Sequence, residues 1–306
     1  GPTAVGKTKA SIGLAKAVDG EIISADSMQV YRHMDIGSAK IKPEEMEGIP
    51  HHLIDVLEPD DEFHVVKFQQ LAKKAMREIW ERGHIPIVTG GTGFYIQALL
   101  YDIDFDENEK EDACRKELEA YAKEHGAEAL HEKLAFVDPA SAEMIHPNNI
   151  KRVIRALEFY EQTGKRISEH NETQRQRESP YAFAYFVLTD DRAHLYERIN
   201  RRVDQMIEEG LVNEVQALKD KGYTKQLVSM QGLGYKEILD YLDGNCTLEE
   251  AIYTIKRDTR HFAKRQLTWF KRERDVIWIN KQSFGYDAEQ ILDEMLSKLP
   301  WKAEKK

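Results

Sequence analysis

The stretch "GPTAVGKTKAS", residues 1–11, decides the fold. Gly1, Gly6, Lys7 and Thr8 fit the G-x-x-x-x-G-K-[ST] spacing of a phosphate-binding loop. Backbone N–H groups and the following helix N-terminus cradle anionic oxygens in such a loop. The lysine adds a point charge, and the Thr8 hydroxyl is the expected ligand for Mg²⁺. A chance match in a glycine-containing turn is the competing reading. Such loops normally follow a β-strand, so a first core strand is expected ahead of Gly1. ATP is the default ligand, yet the rest of the sequence argues for another diphosphate.

Working outward, residues 9–18 read as a helix and "EIISA", residues 21–25, as a short buried strand ending at Asp26. "HLIDV", residues 52–56, is a second strand candidate. Phe68, Leu71, Ala72, Ala75 and Ile79 recur at helical spacing up to a stop at Gly83. "IPIVT", residues 85–89, runs straight into "GGTG", residues 90–93. Strands alternating with helices of this length predict an α/β fold, a parallel sheet with helices on both faces. Past residue 107 the chain turns helical and charged until about residue 179. "FAYFVL", residues 183–188, then restores a strand before long helices that run to Arg274. The expected organisation is an α/β core of residues 1–107 and 180–306, interrupted by a mostly helical insertion of residues 108–179.

The net charge of −10 argues against a polyanionic partner, but its distribution reverses that argument. Residues 102–124 carry ten acids against four bases, whereas residues 256–274 carry eight Lys/Arg against two acids. Local field steers a polyanion more than the total does. In the basic stretch Phe262, Trp269 and Phe270 are interleaved; a solvated helix face with its aromatics in the core seam is the plainer alternative. No run approaches the ~20 apolar residues of a membrane helix, so no membrane partner is expected. Cys114 and Cys246 lack metal-site spacing and are expected to be reduced in a cytoplasmic protein. His51 and His52, adjacent at a strand start, point to opposite faces and are not expected to share an ion.

Asp26 sits at the carboxyl end of a strand, where open parallel sheets place their ligands. Ser27 and Gln29 follow it as polar groups able to read a base edge, although an Asp that caps a turn or binds Mg²⁺ is equally compatible with this position. Arg198 and Arg202, four apart on one helix face, suit charge stabilisation on a leaving group or a plain solvated face. A kinase of small molecules would reuse the first hundred residues, and a nucleotide-dependent switch is a third possibility.

The blocks "GPTAVGKT", "ISADSMQVYRHMDIGSAK", "IPHHLIDV", "GGTGFYIQAL", "HPNNIKRVIRALEFYEQTGK", "LYERINRRVDQMIEEGLVNEV", "GLGYKEI" and "TRHFAKRQLTWF" occur in that order. Together they resemble the tRNA dimethylallyltransferases of bacterial type across practically the whole chain. The resemblance implies a P-loop fold that binds dimethylallyl diphosphate in place of ATP. It implies transfer of the five-carbon group to N6 of the adenosine 3′-adjacent to the anticodon, with release of diphosphate. By the same resemblance Gly1, Pro2, Thr3, Ala4, Val5, Gly6, Lys7 and Thr8 hold the diphosphate, Thr8 with Mg²⁺, and Arg202 faces it. Asp26 matches the catalytic carboxylate at N6, with Thr8 and Arg202 as catalytic partners. Ser27, Met28 and Gln29 fall at the target base. Thr92, Arg115, Lys151, Arg152, Val153, Ile154, Arg155, Gly234, Tyr235, Lys264 and Arg265 match positions that touch tRNA or order the channel. The helical insertion matches a domain that grips the anticodon stem-loop. A monomeric enzyme is expected.

Overall fold

The computed structural model of the chain describes residues 1–105 and 111–300. Helix α1 (Lys7–Val18) leads into strand β1 (Gly20–Ala25), whose six residues are all buried. A long loop returns as strand β2 (His51–His52), followed by helix α2 (Val65–Glu81), strand β3 (Ile85–Gly90) and helix α3 (Gly93–Leu100). The three strands form a parallel sheet in the order β2-β1-β3. Ile22 lies beside His51 on one side and Ile87 on the other, and Ala25 beside Gly90.

Side chains alternate across β1 because a strand repeats every two residues. Ile22 packs with Ile12 and Ala15 of α1, whereas Ile23 joins Phe68, Ala72 and Ile79 of α2. Helices cover both faces, so the strand is apolar on both. Burying each isoleucine contributes about 1.5–3 kcal/mol. Glu21 is the charged exception on this strand. Its carboxylate accepts Arg82 Nε at 3.0 Å and Nη2 at 2.7 Å, and lies 2.6 Å from His52 Nε2. The Arg82 hydrogen bonds outweigh the cost of burial and, with His52, hold the carboxyl down to about 2.

Residues 101–180 form a second compact unit, distinct from residues 1–100 and 181–306. The boundary expected at residues 107–108 lies outside the described residues. This unit contains helices α4 (Glu111–Val137), α5 (Pro139–Met144), α6 (Ile150–Thr163) and α7 (Ile167–Gln176), with a break in α4 at Gly126. Leu118, Leu130, Leu134, Val153 and Leu157 make its core. Asp138 braces it by accepting the N–H and hydroxyl of both Ser141 and Ser168.

In the larger unit the chain continues through strand β4 (Tyr185–Thr189), helices α8 (Arg192–Glu208), α9 (Leu211–Asp220), α10 (Tyr235–Leu242) and α11 (Leu248–Phe270), strand β5 (Val276–Asn280) and helix α12 (Ala288–Ser297). Capping sets where these helices begin. Asp191 accepts the N–H groups of Ala193 and His194, and Thr247 exchanges hydrogen bonds with Glu250 in a capping box. Strands β4 and β5 pair in parallel as a separate two-stranded sheet. The expectation of one parallel sheet is therefore corrected to two small ones among the described residues. An apolar cavity of about 360 Å³ is lined by Ile87 of β3, Leu188 of β4 and Leu14 of α1. No described helix is long and apolar enough to cross a membrane.

Candidate active site

A cleft of about 470 Å³ opens at the carboxyl ends of β1 and β3, where the amino end of α1 also points. Thr3, Ala4, Gly6, Lys7 and Thr8 line it from one side, Asp26 and Gln29 from another, and Arg198 and Arg202 of α8 from a third. Gly1, Pro2 and Val5 are buried behind this surface. Gly6 adopts φ 99°, a left-handed conformation that L side chains rarely take, and there α1 begins. Ala4 is also left-handed at φ 60°. Such backbone persists only where its surroundings hold it. Arg198 Nε donates to the Ala4 carbonyl at 2.8 Å, Lys281 Nζ to the Val5 carbonyl at 3.0 Å, and Lys7 Nζ to the Pro2 carbonyl at 2.8 Å.

Lys7, Arg198 and Arg202 thus meet in one cleft. Burial pulls the Lys7 ammonium down to about 8, Asp26 works against that shift, and Arg202 adds to it. Burial also lowers Arg202, with Asp26 again opposing and Arg198 reinforcing the shift. Like charges held together in a partly desolvated cleft suit an anionic ligand of more than one charge. The Thr8 hydroxyl lies in the same lining and is exposed.

Asp26 follows β1 directly. Its Oδ1 accepts the N–H of Met28 at 2.8 Å and of Gln29 at 3.4 Å, an Asx-turn that fixes the carboxylate at the strand end. Gln29 was expected at the base edge, but its amide is already engaged at both ends. It accepts from the Ser24 hydroxyl at 3.0 Å and donates to the Ala39 carbonyl at 3.2 Å. Arg202 Nη2 reaches the same carbonyl at 3.5 Å. Gln29 therefore ties the loop while still lining the cleft, with one N–H and one lone pair of its amide beyond these two bonds. Ser27 and Met28 are half-buried, and Met28 packs on the main core. Lys40 Nζ anchors the loop's far end on Asp35, Asp55 and the Tyr31 carbonyl.

The second glycine turn carries Thr92, half-buried, whose N–H donates to Ala25. Gln266 of α11 spans both glycine turns. It accepts the Thr3 N–H at 2.8 Å and donates to the Gly91 carbonyl at 2.9 Å. On the other side of that helix Lys264 and Arg265 are exposed. Phe270 is fully buried and Trp269 packs against the core, as the core-seam reading of the aromatics has it.

Several of the positions expected to touch tRNA or order the channel are buried or paired. Tyr235, Val153 and Ile154 are buried in cores, and buried Gly234 donates its N–H to Glu237. In the helical unit Arg115 makes two 2.8 Å hydrogen bonds to the fully buried Glu158, which gives it a bracing role. Removing Arg115 would leave the Glu158 carboxylate buried without this partner, which is destabilising. Lys151, Arg152 and Arg155 of α6 are exposed. The sequence reading missed Lys40, Glu214, Gln266 and Lys281. A polar residue on the buried face of an amphipathic helix was the available signal for Gln266, whereas Lys281 carries none.

Fold and site together define an α/β protein with a polycationic cleft at parallel strand ends, faced by one carboxylate. The chain belongs to the IPP transferase family, whose model matches residues 29–273. The tRNA dimethylallyltransferase of Lachnoclostridium phytofermentans is 64% identical over 296 residues, covering 97% of this chain and 94% of that protein. The crystal structure of a full-length tRNA isopentenylpyrophosphate transferase from Bacillus halodurans superimposes with a TM-score of 0.73 at 49% identity, covering 99% of this chain and 96% of that one. A eukaryotic dimethylallyltransferase acting on tRNA gives a TM-score of 0.79 at 32% identity, over 92% of this chain and 72% of that one.

Proposed function

We propose that this chain transfers a dimethylallyl group from dimethylallyl diphosphate to N6 of the adenosine 3′-adjacent to the anticodon of tRNA, releasing diphosphate. The observation that carries the reading is the Asp26 carboxylate at a strand end, facing the cations Lys7 and Arg202 across one cleft. Family membership supports the two substrates.

The chemistry needs both signs of charge. Adenine N6 is a weak nucleophile because its lone pair is delocalised into the ring. Asp26 accepts its proton as the N6–C1 bond forms, while the C1–O bond breaks and its electron pair leaves with the diphosphate. Lys7, Arg202 and the loop amides neutralise that departing charge. The residues present suit Mg²⁺. The Thr8 hydroxyl is a hard oxygen donor, and no group of three His, Cys, Asp or Glu among the described residues forms a dedicated cage. The remaining ligands would be diphosphate oxygens and water. Bound there, Mg²⁺ would supply further positive charge to the leaving group.

In this reading residues 1–8 form a P-loop for a prenyl diphosphate. The exposed cations Lys264 and Arg265, with Lys151, Arg152 and Arg155 of the helical unit, meet tRNA phosphates. The enzyme works as a cytoplasmic monomer. Incubating protein, Mg²⁺, unmodified tRNA and labelled dimethylallyl diphosphate, then digesting the tRNA, tests the reaction. Label on adenosine N6 is expected. No label on tRNA, together with phosphate transfer from ATP to a small acceptor, would overturn the assignment in favour of a kinase.

A further inference from the structure

Gln266 is 6% exposed, near the carboxyl end of α11, where the neighbouring residues Lys264 and Arg265 face solvent. A buried carboxamide is costly to desolvate unless its polar atoms are paired. Here Oε1 accepts the Thr3 N–H and Nε2 donates to the Gly91 carbonyl, so both functions are used. The two partners lie on different loops. Thr3 belongs to the phosphate loop and lines the cleft; Gly91 follows Gly90, which lines the same cleft. The donors and acceptors admit only one orientation of the amide. Gly91 is fitted to it, since a Cβ there would lie 2.2 Å from Gln266 Nε2.

We propose that Gln266 is a positioning residue for the anion site, setting the spacing between the phosphate loop and the second glycine turn. It acts through Thr3 and touches no substrate. Its hold on the Thr3 N–H fixes the plane of the Pro2–Thr3 peptide. Arg198 and Lys281 then hold the carbonyls of the next two residues, Ala4 and Val5. Residues 3, 4 and 5 are thereby each fixed from outside the motif, by α11, α8 and the segment after β5. The phosphate-loop spacing in the sequence specifies none of these three contacts. The proposal rests on the reading of this cleft as a diphosphate site.

Gln266→Met keeps the length and removes both hydrogen bonds. Gly91→Ala leaves Gln266 in place but drives its amide away from the turn. Calorimetric titration with inorganic diphosphate and Mg²⁺ should show affinity weakened about tenfold in each variant, the loss expected for one or two hydrogen bonds that order a binding loop. Affinity for unmodified tRNA should stay within about twofold, because Lys264 and Arg265 remain in place and phosphate contacts dominate that binding. Unchanged diphosphate affinity in a folded variant would overturn the proposal, as would equal losses for diphosphate and tRNA, which a merely structural role predicts. If Gln266→Met fails to fold, Gly91→Ala decides. Wild-type protein that binds diphosphate yet transfers no prenyl group would overturn the proposed reaction and leave the role of Gln266 standing.

Discussion

The Tyr235 hydroxyl donates to Glu214 Oε1 at 2.8 Å, and the same carboxylate accepts the backbone N–H groups of Asp35, Ile36 and Gly37 at 3.0, 2.7 and 3.2 Å. Ser38 N–H donates back to the Tyr235 oxygen at 3.2 Å. Two side chains from α9 and α10 therefore fix four consecutive residues, and the next carbonyl, that of Ala39, receives Gln29 and Arg202. Tyr235→Phe should destabilise the protein by about 1–3 kcal/mol, because it removes a hydrogen bond to the half-buried Glu214 carboxylate and the acceptor of the Ser38 N–H. Urea unfolding with an unchanged m-value checks this. A stability equal to wild type would show that Glu214 holds the loop without Tyr235.

Asp26→Asn retains size and one acceptor but cannot take a proton. Single-turnover prenyl transfer should fall by at least about a hundredfold, the lower end of general-base contributions. Binding of the anticodon stem-loop should change little. Recovery of the rate at raised Mg²⁺ would instead assign Asp26 to the metal.

Lys7 is held down to about 8 in the free protein. It therefore carries its full charge below that pH and loses it as pH rises through 8. Affinity for dimethylallyl diphosphate should weaken from pH 7 to pH 9 in wild type, and Lys7→Met should lose this dependence along with most of the affinity. Parallel pH profiles for the two proteins would remove Lys7 from the binding charge.

Glu21 predicts acid behaviour. Its folded value near 2 lies below the ordinary carboxylate range. The native state thus binds fewer protons than the unfolded chain, and stability from this group is present above about pH 4.5 and lost as pH falls toward 2. Glu21→Gln should be less stable than wild type at pH 7, and the difference should shrink across that window. Fluorescence-monitored urea melts at pH 7, 4 and 3 would show it.

Lys264 and Arg152 are exposed on α11 and α6. If each meets a tRNA phosphate, replacing either with Ala should shallow the log–log salt dependence of tRNA binding by about one unit. Identical slopes in both variants would mark these residues as ordinary solvated faces.

The core of the fold was legible because local chemistry and tertiary structure agree there. "EIISA" and "IPIVT" are apolar runs ended by an acid or a glycine, and both became strands. "HLIDV" read as a strand equally well, yet only His51–His52 pairs with β1. Leu53 and Asp55 take φ of 63° and 54°, which ends the extended run, and no single residue announces that. Strand β5 was missed because "VIWIN" is short and follows directly on a charged helix end. That Lys7, Thr8 and Asp26 line one cleft was readable from spacing and position. Glu214, Gln266 and Lys281 were not, since their partners lie 177, 263 and 276 residues away.

Those separations also order events during synthesis. Residues 1–8 leave the ribosome long before Arg198, Gln266 and Lys281. At about 5–20 residues per second, Lys281 emerges roughly 15–55 s after Val5. Until then the left-handed turn at Ala4 lacks the partners that hold it, and closing such long loops is entropically slow. For most of its translation the nascent chain therefore carries residues 1–8 without the partners that hold residues 3–5 in the folded protein. All three contacts can form only after α11 and the segment after β5 have emerged and folded back onto residues 3–5.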